Sequence, residues 1–345
     1  MSKDKLVFWF EEVGQEHNDI VGKKGANLGE MCRLNMPVAP GFAIPTDAYR
    51  RFMAETGVAE KISKYIASLG KISEITQCED TSKVIRSMVE KKEIPNYIRE
   101  EICSCYNALC EKVQITDVPV SIRSGAPTSR PGLFETYLNV RGKEEVLQQV
   151  KKVWSSAFTA RAMWYRLAHD IPVDSDVLGV VVQKLVNARS AGITFTADPV
   201  TGDRSRIIVE ASWGLGEGVV SDKVQVDGFV INKETLEVIE KAIGNKTFCI
   251  TCGKEGGIEE KDIPVDKQLV QCLSEQELKE IARLSKLLEE CLGQPQDIEW
   301  AIDPDLPFPN NIYFFQTRPV KFATEKTRTP IDRLLDIMAK RALSP

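Results

Sequence analysis

The sequence predicts an α+β protein built from two lobes, and three observations support that prediction. A chain of 345 residues is long enough to bury two cores. Residues 1–174 mix helical periodicity with short apolar runs, whereas residues 175–320 are dominated by strand-like segments. The segment "IPVDSD" at 171–176 marks the change in composition. We therefore expect an N-terminal lobe over 1–174, a C-terminal lobe over 175–320, a cleft between them and a helical tail over 321–345.

The overall charge and hydropathy exclude several classes of protein. The chain carries 45 basic and 50 acidic residues, a net charge of −5, and this balance gives no reason to expect a nucleic-acid partner. The longest apolar stretch, "VLGVVVQKLV" at 177–186, is shorter than the ~20 residues of a membrane-spanning helix. The segment "MSKDKLVFWFEE" has no signal-peptide pattern, and the nine cysteines suit reduced thiols. We expect a cytoplasmic protein without a membrane partner.

Helical periodicity marks most of the first lobe. It predicts helices over 24–34, 46–55 and 80–112, and a further apolar stripe runs from 146 to 157. A buried strand begins at Pro119 and ends at Arg123. The first lobe is therefore expected to mix short strands with longer helices.

The second lobe is expected to be mainly β-structure with one well-capped helix. Four apolar runs predict strands: "VLGVVVQKLV", "AGITFTADP", "SRIIVEAS" and "DGFVIN". A helix follows, with Ser274 as its N-cap, Glu277 completing a capping box and Gly293 ending it. The chain then forms a hairpin from "PQDIEWAI" to "NIYFFQTRPV".

This hairpin is the most informative part of the sequence. One antiparallel register sets Asp297 opposite Arg318 and Glu299 opposite Gln316, all on one face. Oxygen ligands from carboxylates and an amide suit Mg²⁺ that is also held by phosphate, and a neighbouring arginine can bind a phosphate oxygen. The alternative is a solvated cross-strand salt bridge.

Cations in the first lobe also indicate an anionic ligand. The run "SIRSGAPTSRPG" places Arg123 and Arg130 around a loop of small residues, with Glu135 as the acid that follows. Lys24 precedes Gly25 at the expected start of a helix, and helix N-termini favour anions. A simple glycine cap is the alternative at Lys24, and the G-K-[ST] ending of a Walker A loop is missing.

Two further segments offer contacts to a nucleotide. "EASWGLGEGVVSD" spaces its glycines so that a backbone can approach a phosphate chain, although a plain turn would look the same. The spacing differs from a dinucleotide fingerprint, and we reject that class. The end of "VVQKLV" offers backbone groups to an adenine edge, unless it is an ordinary edge strand. The expected ATP contacts in these two segments are Gln183, Lys184, Leu185, Val186, Gly214, Gly216 and Glu217.

Taken together, these residues resemble the nucleotide-binding domain shared by phosphoenolpyruvate synthase, pyruvate phosphate dikinase and rifampicin phosphotransferase. The resemblance implies an ATP-grasp fold with ATP between two lobes, and cleavage of ATP to AMP and phosphate with transfer of the β-phosphoryl group to a histidine. The matching motifs, in order, are "KGANLGEM", "SIRSGAP", "PGLFETYLNV", "VVVQKLV", "AGITFTADPVTGD", "WGLGEGVV", "DIEWAI" and "QTRPV". The implied roles are phosphate binding and catalysis for Lys24, Arg123 and Arg318, nucleotide binding for Gly132, Thr136 and Gln183, and Mg²⁺ binding for Asp297, Glu299 and Gln316.

The sequence also departs from the family pattern. The chain stops about 25 residues after "QTRPV", and neither His17 nor His169 lies in the family's acceptor-histidine motif. Asp222 and Val226 stand where relatives usually show Gly and Pro. The chain is therefore expected to be either an excised domain or a subunit whose partner carries the histidine.

A separate histidine-bearing subunit resembles the arrangement in phenylphosphate synthase, which makes phenol the preferred acceptor and pyruvate the alternative. A second hypothesis of a different class is a module that senses ATP without turnover. The full set of phosphate-binding and metal-binding residues favours the enzyme, because a sensor needs adenine contacts more than a complete phosphate clamp.

Overall fold

A computed structural model describes residues 5–70, 74–128 and 133–322. Arg130 and Gly132, two residues of the predicted phosphate loop, lie outside the described residues, as does nearly all of the predicted tail helix. No helix of the described part of the chain is long and apolar enough to cross a membrane. The mixture of helices and sheets confirms the α+β class.

The described chain forms two compact units, each with its own sheet. The first unit consists mainly of Pro40–Leu185, joined by residues up to Arg33 and by Lys254–Gly257. The second consists mainly of Val186–Gly253, joined by Leu34–Ala39 and by residues from Ile258 onward. The sequence placed the boundary at 174/175, whereas the structure changes units at 185/186, because the strand between those positions pairs inside the first sheet.

The sheet of the first unit has five strands, and all of its neighbouring strands are antiparallel. Their order in the sheet is β1-β2-β5-β3-β4, so the last strand in sequence lies in the middle. Burial on both faces explains why residues 179–182 of this strand are all apolar. The strands are β1 (Phe8–Trp9), β2 (Gly41–Ile44), β3 (Val120–Gly125), β4 (Thr136–Val140) and β5 (Gly179–Lys184).

The main core of the first unit lies on one face of this sheet. Phe42, Ile122 and Val182 point into it from neighbouring strands, and Trp154 stacks on Phe52 with ring centroids 5.0 Å apart. Helices pack over this face, and the first α-helix of the chain packs against the opposite face of the sheet. The helices are α1 (Asn18–Arg33), α2 (Thr46–Glu55), α3 (Val58–Leu69), α4 (Ile75–Glu90), α5 (Asn96–Val113), α6 (Lys143–Ser155) and α7 (Ala160–Ala168).

The helix predicted over 80–112 is two helices. α4 ends at Glu90, and α5 begins at Asn96 directly after Pro95. A proline disfavours helical geometry in the residue before it, which here is Ile94. The apolar periodicity continues across the break, and this is why the sequence pattern alone suggested one helix.

The second unit has a six-stranded sheet in the order β13-β12-β6-β7-β8-β9 and a separate two-stranded hairpin, β10-β11. The helix predicted from its capping box is confirmed: Ser274 accepts from the backbone N–H of Glu277, and Gly293 ends the helix in a left-handed conformation. The strands are β6 (Ser190–Phe195), β7 (Arg206–Trp213), β8 (Asp227–Asn232), β9 (Val238–Ala242), β10 (Phe248–Cys252), β11 (Ile258–Asp262), β12 (Gln296–Ile302) and β13 (Ile312–Pro319). The helices are α8 (Gly216–Val220), α9 (Val265–Gln268) and α10 (Glu275–Leu292).

Candidate active site

Arg123 and Gln183 lie on the face of the first sheet that is opposite the main core. In the β3–β5 ladder, Arg123 pairs with Val181 and Ser121 pairs with Gln183. The intervening Ile122 belongs to the main core. Because side chains alternate along a strand, the polar pair and the core residues face opposite sides. The sheet therefore separates its packing face from a face that carries a cation and an amide.

Helix α1 covers part of that second face and brings Lys24 to it. Val21 and Ala26 of α1 pack with Ala43 of β2 in a small apolar cluster. A Cβ on Gly25 would lie 3.3 Å from the Cβ of Ala43, so the helix sits close to the sheet at this point. The structure thus brings Lys24 to the same side of the sheet as Arg123.

The start of this helix is fixed by a glycine. Gly22 has φ +74 and ψ 162, which interrupts the helix, so helical geometry resumes at Lys23 rather than at Gly25 as predicted. A Cβ on Gly22 would lie 1.8 Å from the carbonyl oxygen of Gly125. The backbone N–H of Lys23 donates to the carbonyl of Ala126 at 3.0 Å. Lys24 therefore occupies the first turn after the kink, tied to the end of β3.

Arg123 does not end its strand, as the sequence suggested, because β3 continues to Gly125. Its neighbour across the β3–β4 ladder is Thr136, an exposed residue that was also expected to contact the nucleotide. The acid of this loop, Glu135, accepts both of its guanidinium hydrogen bonds from Arg86. The structure therefore brings Lys24, Arg123, Thr136 and Gln183 together around one sheet face.

The backbone at the end of β5 is hydrogen-bonded to neighbouring segments of the chain. The N–H of Lys184 donates to the carbonyl of Pro40, and the N–H of Leu185 donates to the carbonyl of Pro119, both at 2.8 Å. The carbonyl of Val186 accepts from Ala188 at 2.9 Å. These hydrogen bonds hold the chain as it leaves the first sheet, and contact of this segment with an adenine edge stays a prediction.

In the second unit, the hairpin has the predicted register. Asp297 lies opposite Arg318, and Glu299 lies opposite Gln316, with an irregularity only after Glu299. Nε of Arg318 donates to Oδ2 of Asp297 at 2.7 Å, and Nε2 of Gln316 donates to Oε1 of Glu299 at 2.8 Å. Two cross-strand pairs thus stand side by side on one face of the sheet.

The carboxyl group of Asp297 has an unusual environment. Burial raises its pKa, the nearby Arg318 offsets this in part, and the charge of Glu299 adds to the rise. Its second oxygen, Oδ1, is buried and has no hydrogen-bond partner among the described residues. Buried carboxylate oxygens are normally satisfied, so this atom suits a ligand or cation. The set Asp297, Glu299 and Gln316 therefore fits Mg²⁺, which prefers a few protein oxygens together with phosphate.

Glu210 on β7 is a residue that sequence reasoning missed. Glu299 pairs with Ile193 of β6, and Ile193 pairs with Glu210, so both acids lie on the same face of the sheet. Burial, with the charges of Asp222 and Asp297, raises the pKa of Glu210 to about 7. The signal was available as a single acid inside the otherwise apolar run "RIIVEASW".

The glycine segment differs in part from its prediction. Gly214 has φ +80 and requires glycine, whereas Gly216 begins the short helix α8, which also contains Glu217. The N–H of Leu215 donates to the carbonyl of Ile250 at 2.8 Å. A helix thus follows this segment, although its glycine spacing still differs from a dinucleotide fingerprint.

Asp222 resolves one departure from the family pattern. Its φ of +55 places it in the left-handed region, where Gly is free of strain and Asp is one of the better-tolerated side chains. The residue type therefore changes while the backbone conformation that favours glycine is retained.

The sites in the two units define a nucleotide-binding class of protein, with cations and an amide in the first unit and a carboxylate–amide set with an arginine in the second. Comparison with known families agrees: residues 18–337 match the family model described as pyruvate phosphate dikinase, AMP/ATP-binding domain. The chain belongs to this family of ATP-binding phosphotransferase domains.

Relatives of the chain are longer proteins. A probable phosphoenolpyruvate synthase of Methanocaldococcus jannaschii is 37% identical over 97% of this chain and 28% of its own length. The phosphoenolpyruvate synthase of Aeropyrum pernix is 38% identical over 91% of this chain and 42% of its own length. The chain therefore spans less than half the length of these relatives. A D-alanine–D-alanine ligase of Helicobacter pylori aligns with 70% of this chain and 62% of its own, at 8% identity and a TM-score of 0.27, too low to support an argument about the fold.

Proposed function

We propose that this chain is the ATP-binding part of a dikinase-type phosphotransferase with an ATP-grasp fold. In the proposed reaction, ATP, water and a histidine yield AMP, phosphate and phosphohistidine. The bond between the α- and β-phosphates breaks to release AMP, water takes the γ-phosphate, and the β-phosphoryl group moves to a ring nitrogen of the histidine. The observation that supports this proposal most is the hairpin, in which a buried carboxylate oxygen that has no hydrogen-bond partner in the described part of the chain stands beside a second carboxylate, an amide and an arginine.

The cations of the chain would bind and orient the phosphates. Lys24 offers a point charge in the first turn of a helix segment, where backbone N–H groups also favour anions. Arg123 and Arg318 offer planar forks that match phosphate oxygens. Preorganised cations stabilise the charge that moves between bridging oxygens during transfer.

The metal-binding role is assigned to Asp297, Glu299 and Gln316. Mg²⁺ held by these residues would neutralise part of the charge on the phosphates. Arg318 donates to Oδ2 of Asp297, and Oδ1, which has no hydrogen-bond partner among the described residues, would be available to the cation. Gln316 would turn its amide so that the oxygen, rather than the nitrogen, faces the ligand, since the two orientations have nearly the same shape.

The acceptor histidine and the final substrate are expected on another domain or polypeptide. The relatives named above are phosphoenolpyruvate synthases, which favours pyruvate as the acceptor over phenol. Phenol stays a prediction. No residues of an acceptor pocket were recognised in the sequence, so the sequence does not choose between the two acceptors. Phosphorylation of each compound by the chain together with its histidine-bearing partner would decide between them.

The experiment that tests the proposal measures ATP binding first and transfer second. Calorimetry with and without Mg²⁺ should show metal-dependent binding of ATP to the isolated chain. With a histidine-bearing partner, β-labelled ATP should pass its label to the histidine, and γ-labelled ATP should release labelled phosphate. Binding without transfer of the β-label to any histidine would support the ATP-sensing alternative. ADP as the main product would contradict the dikinase reaction.

A further inference from the structure

A bidentate ion pair anchors the strand that lies next to Arg123. Nη1 and Nη2 of Arg86 donate to Oε1 and Oε2 of Glu135, each at 2.7 Å. The hydroxyl of Tyr137 also donates to Oε2 of Glu135. Bidentate arginine–carboxylate pairs fix geometry as well as charge. Glu135 is therefore oriented by three hydrogen bonds from two elements.

The arginine end of this pair is itself held in place. Nε of Arg86 lies 3.5 Å from Oε1 of Glu90, one turn further along α4, and Ser155 donates to the same oxygen at 2.6 Å. The adjacent residues Ile85 and Val89 are fully buried in the main core. A helix anchored in the core thus presents Arg86 at a defined position.

Alternation along β4 connects this anchor to the candidate active site. Tyr137 pairs with Ile122, which faces the main core, whereas Thr136 pairs with Arg123 on the opposite face. Glu135 immediately precedes β4, and the hydrogen bond from the hydroxyl of Tyr137 to Oε2 of Glu135 places the two side chains on the same side. One side of the strand is therefore anchored on α4, and the other side presents Thr136 beside Arg123.

Further hydrogen bonds restrain the described ends of the connection between β3 and β4, at residues 126–127 and 133. The carbonyl of Ala126 accepts from Lys23, and the carbonyl of Pro127 accepts from the amide of Asn18 at 3.2 Å. On the other side, the hydroxyl of Thr159 donates to the carbonyl of Leu133 at 3.4 Å. The Arg86–Glu135 pair is the charged member of this set of restraints.

We propose that Arg86 and Glu135 are positioning residues that hold Thr136 beside Arg123, in register for the phosphates of ATP. The inference rests on the proposed ATP-binding function. Arg86 has a second effect in this arrangement: it compensates the charge of Glu135, which is adjacent in the chain to a residue of the phosphate site. A carboxylate without that compensation would repel bound phosphate as well as release Thr136 from its position.

Single and double variants separate the positioning of Thr136 from the compensation of the Glu135 charge. Arg86→Ala leaves the charge of Glu135 uncompensated, and we expect ATP affinity to fall by ~10-fold, below the ~10²-fold that a 1 Å misplacement of reacting groups can cost. Glu135→Gln removes the charge and keeps some hydrogen bonding, so we expect a loss of ~2–3-fold, near the value of one ordinary hydrogen bond. The double variant should resemble Glu135→Gln rather than the product of the two losses.

The matched control is Lys83→Ala, which removes an exposed ion pair with Asp80 from the same helix. Calorimetric ATP affinity is measured for all variants, and amide hydrogen exchange over 133–140 is followed without nucleotide. Exchange should accelerate in Arg86→Ala and stay unchanged in Lys83→Ala. Arg86→Lys should recover only part of the affinity, since an ammonium cannot make the bidentate pair.

The outcomes also separate this proposal from the proposed function. If the unmodified chain does not bind ATP, the proposed function fails, while the exchange measurement still reports on the anchor. If the chain binds ATP and Arg86→Ala binds it equally well, the positioning role is wrong. Multiplicative losses in the double variant would mean that Arg86 and Glu135 act independently on ATP binding, which would overturn the charge compensation.

Discussion

Asp297 and Arg318 face each other across the β12–β13 ladder, joined by a hydrogen bond of 2.7 Å between Oδ2 and Nε. The arginine uses one oxygen of a nearly buried carboxylate, and the other oxygen has no hydrogen-bond partner among the described residues. Buried carboxylate oxygens are normally hydrogen-bonded. A salt bridge that served stability alone would not explain why Oδ1 of Asp297 has no partner among the described residues. This relationship makes the hairpin a ligand site in our proposal.

The first prediction concerns the metal ligands. Glu299→Gln and Gln316→Ala should each weaken Mg²⁺-dependent ATP binding by about 10-fold or more, since each removes an oxygen of the site, and losing such a contact costs on the order of 1–3 kcal/mol. Both side chains are only partly buried, so the unfolding temperature should stay close to that of the unmodified chain. Calorimetric titration of ATP at several Mg²⁺ concentrations measures the effect.

Glu259→Gln on the exposed strand β11 is the control for removing a carboxylate of the same unit. It should leave Mg²⁺-dependent binding unchanged. If Glu299→Gln lowered the unfolding temperature as much as a core truncation while ATP affinity held, the pair with Gln316 would be structural.

The second prediction concerns the cations of the first unit. Arg123→Lys should keep much of the ATP affinity and lower phosphoryl transfer by ~10²–10³-fold, the scale of losing one oriented donor in a transition state. Lys24→Ala should impair both binding and transfer, because it removes a charge that contacts the ground state as well. Single-turnover formation of AMP with the histidine-bearing partner, at saturating ATP, measures the transfer step. An unchanged rate in Arg123→Lys would show that its guanidinium is structural.

The third prediction concerns the close approach of Gly22 to Gly125. Gly22→Ala should lower the free energy of unfolding by at least about 3 kcal/mol, since its backbone region is essentially confined to glycine and the new Cβ meets a backbone carbonyl. Gly57→Ala is the matched control, because Gly57 also has a positive φ but nothing within 4 Å of the added Cβ. Urea unfolding should show a loss of only about 1 kcal/mol for the control. Equal losses would mean that the contact itself contributes nothing.

The fourth prediction follows from the raised pKa of Glu210. Its folded-state pKa of about 7 exceeds its ordinary value of 4.5, so the folded chain holds a proton between these values that the unfolded chain releases. The charged form is therefore disfavoured by burial, and this penalty is absent below pH 4.5 and complete above about pH 7.

Glu210→Gln should accordingly be more stable than the unmodified chain at pH 8, by on the order of 1–3 kcal/mol, and should lose that advantage at pH 5. Urea unfolding between pH 5 and pH 8 measures the difference, with Glu259→Gln as the exposed control. A difference that did not change with pH would show that Glu210 is charged throughout the range.

Local sequence patterns determined the features that depend on residues close together in the chain, namely the hairpin register and the helix caps. The hairpin register follows from strand alternation and from pairs of complementary residues, and the structure confirms it at Asp297 and Glu299. The capping box at Ser274 and the glycine stop at Gly293 are confirmed for the same reason, since caps involve neighbours a few residues apart. The family resemblance, carried by short motifs, was also readable before any coordinates.

The tertiary structure decided what depends on residues distant in the chain. The sequence identified Glu135 only as the acid that follows the arginines of the loop, and folding brings in Arg86, 49 residues away, to hold it. The pairing partners of β5 moved the unit boundary to 185/186, and the raised pKa of Glu210 arises from burial and from acids on other segments. Strand pairing and desolvation both depend on which residues are close in space. The pattern of residues along the sequence does not specify those neighbours.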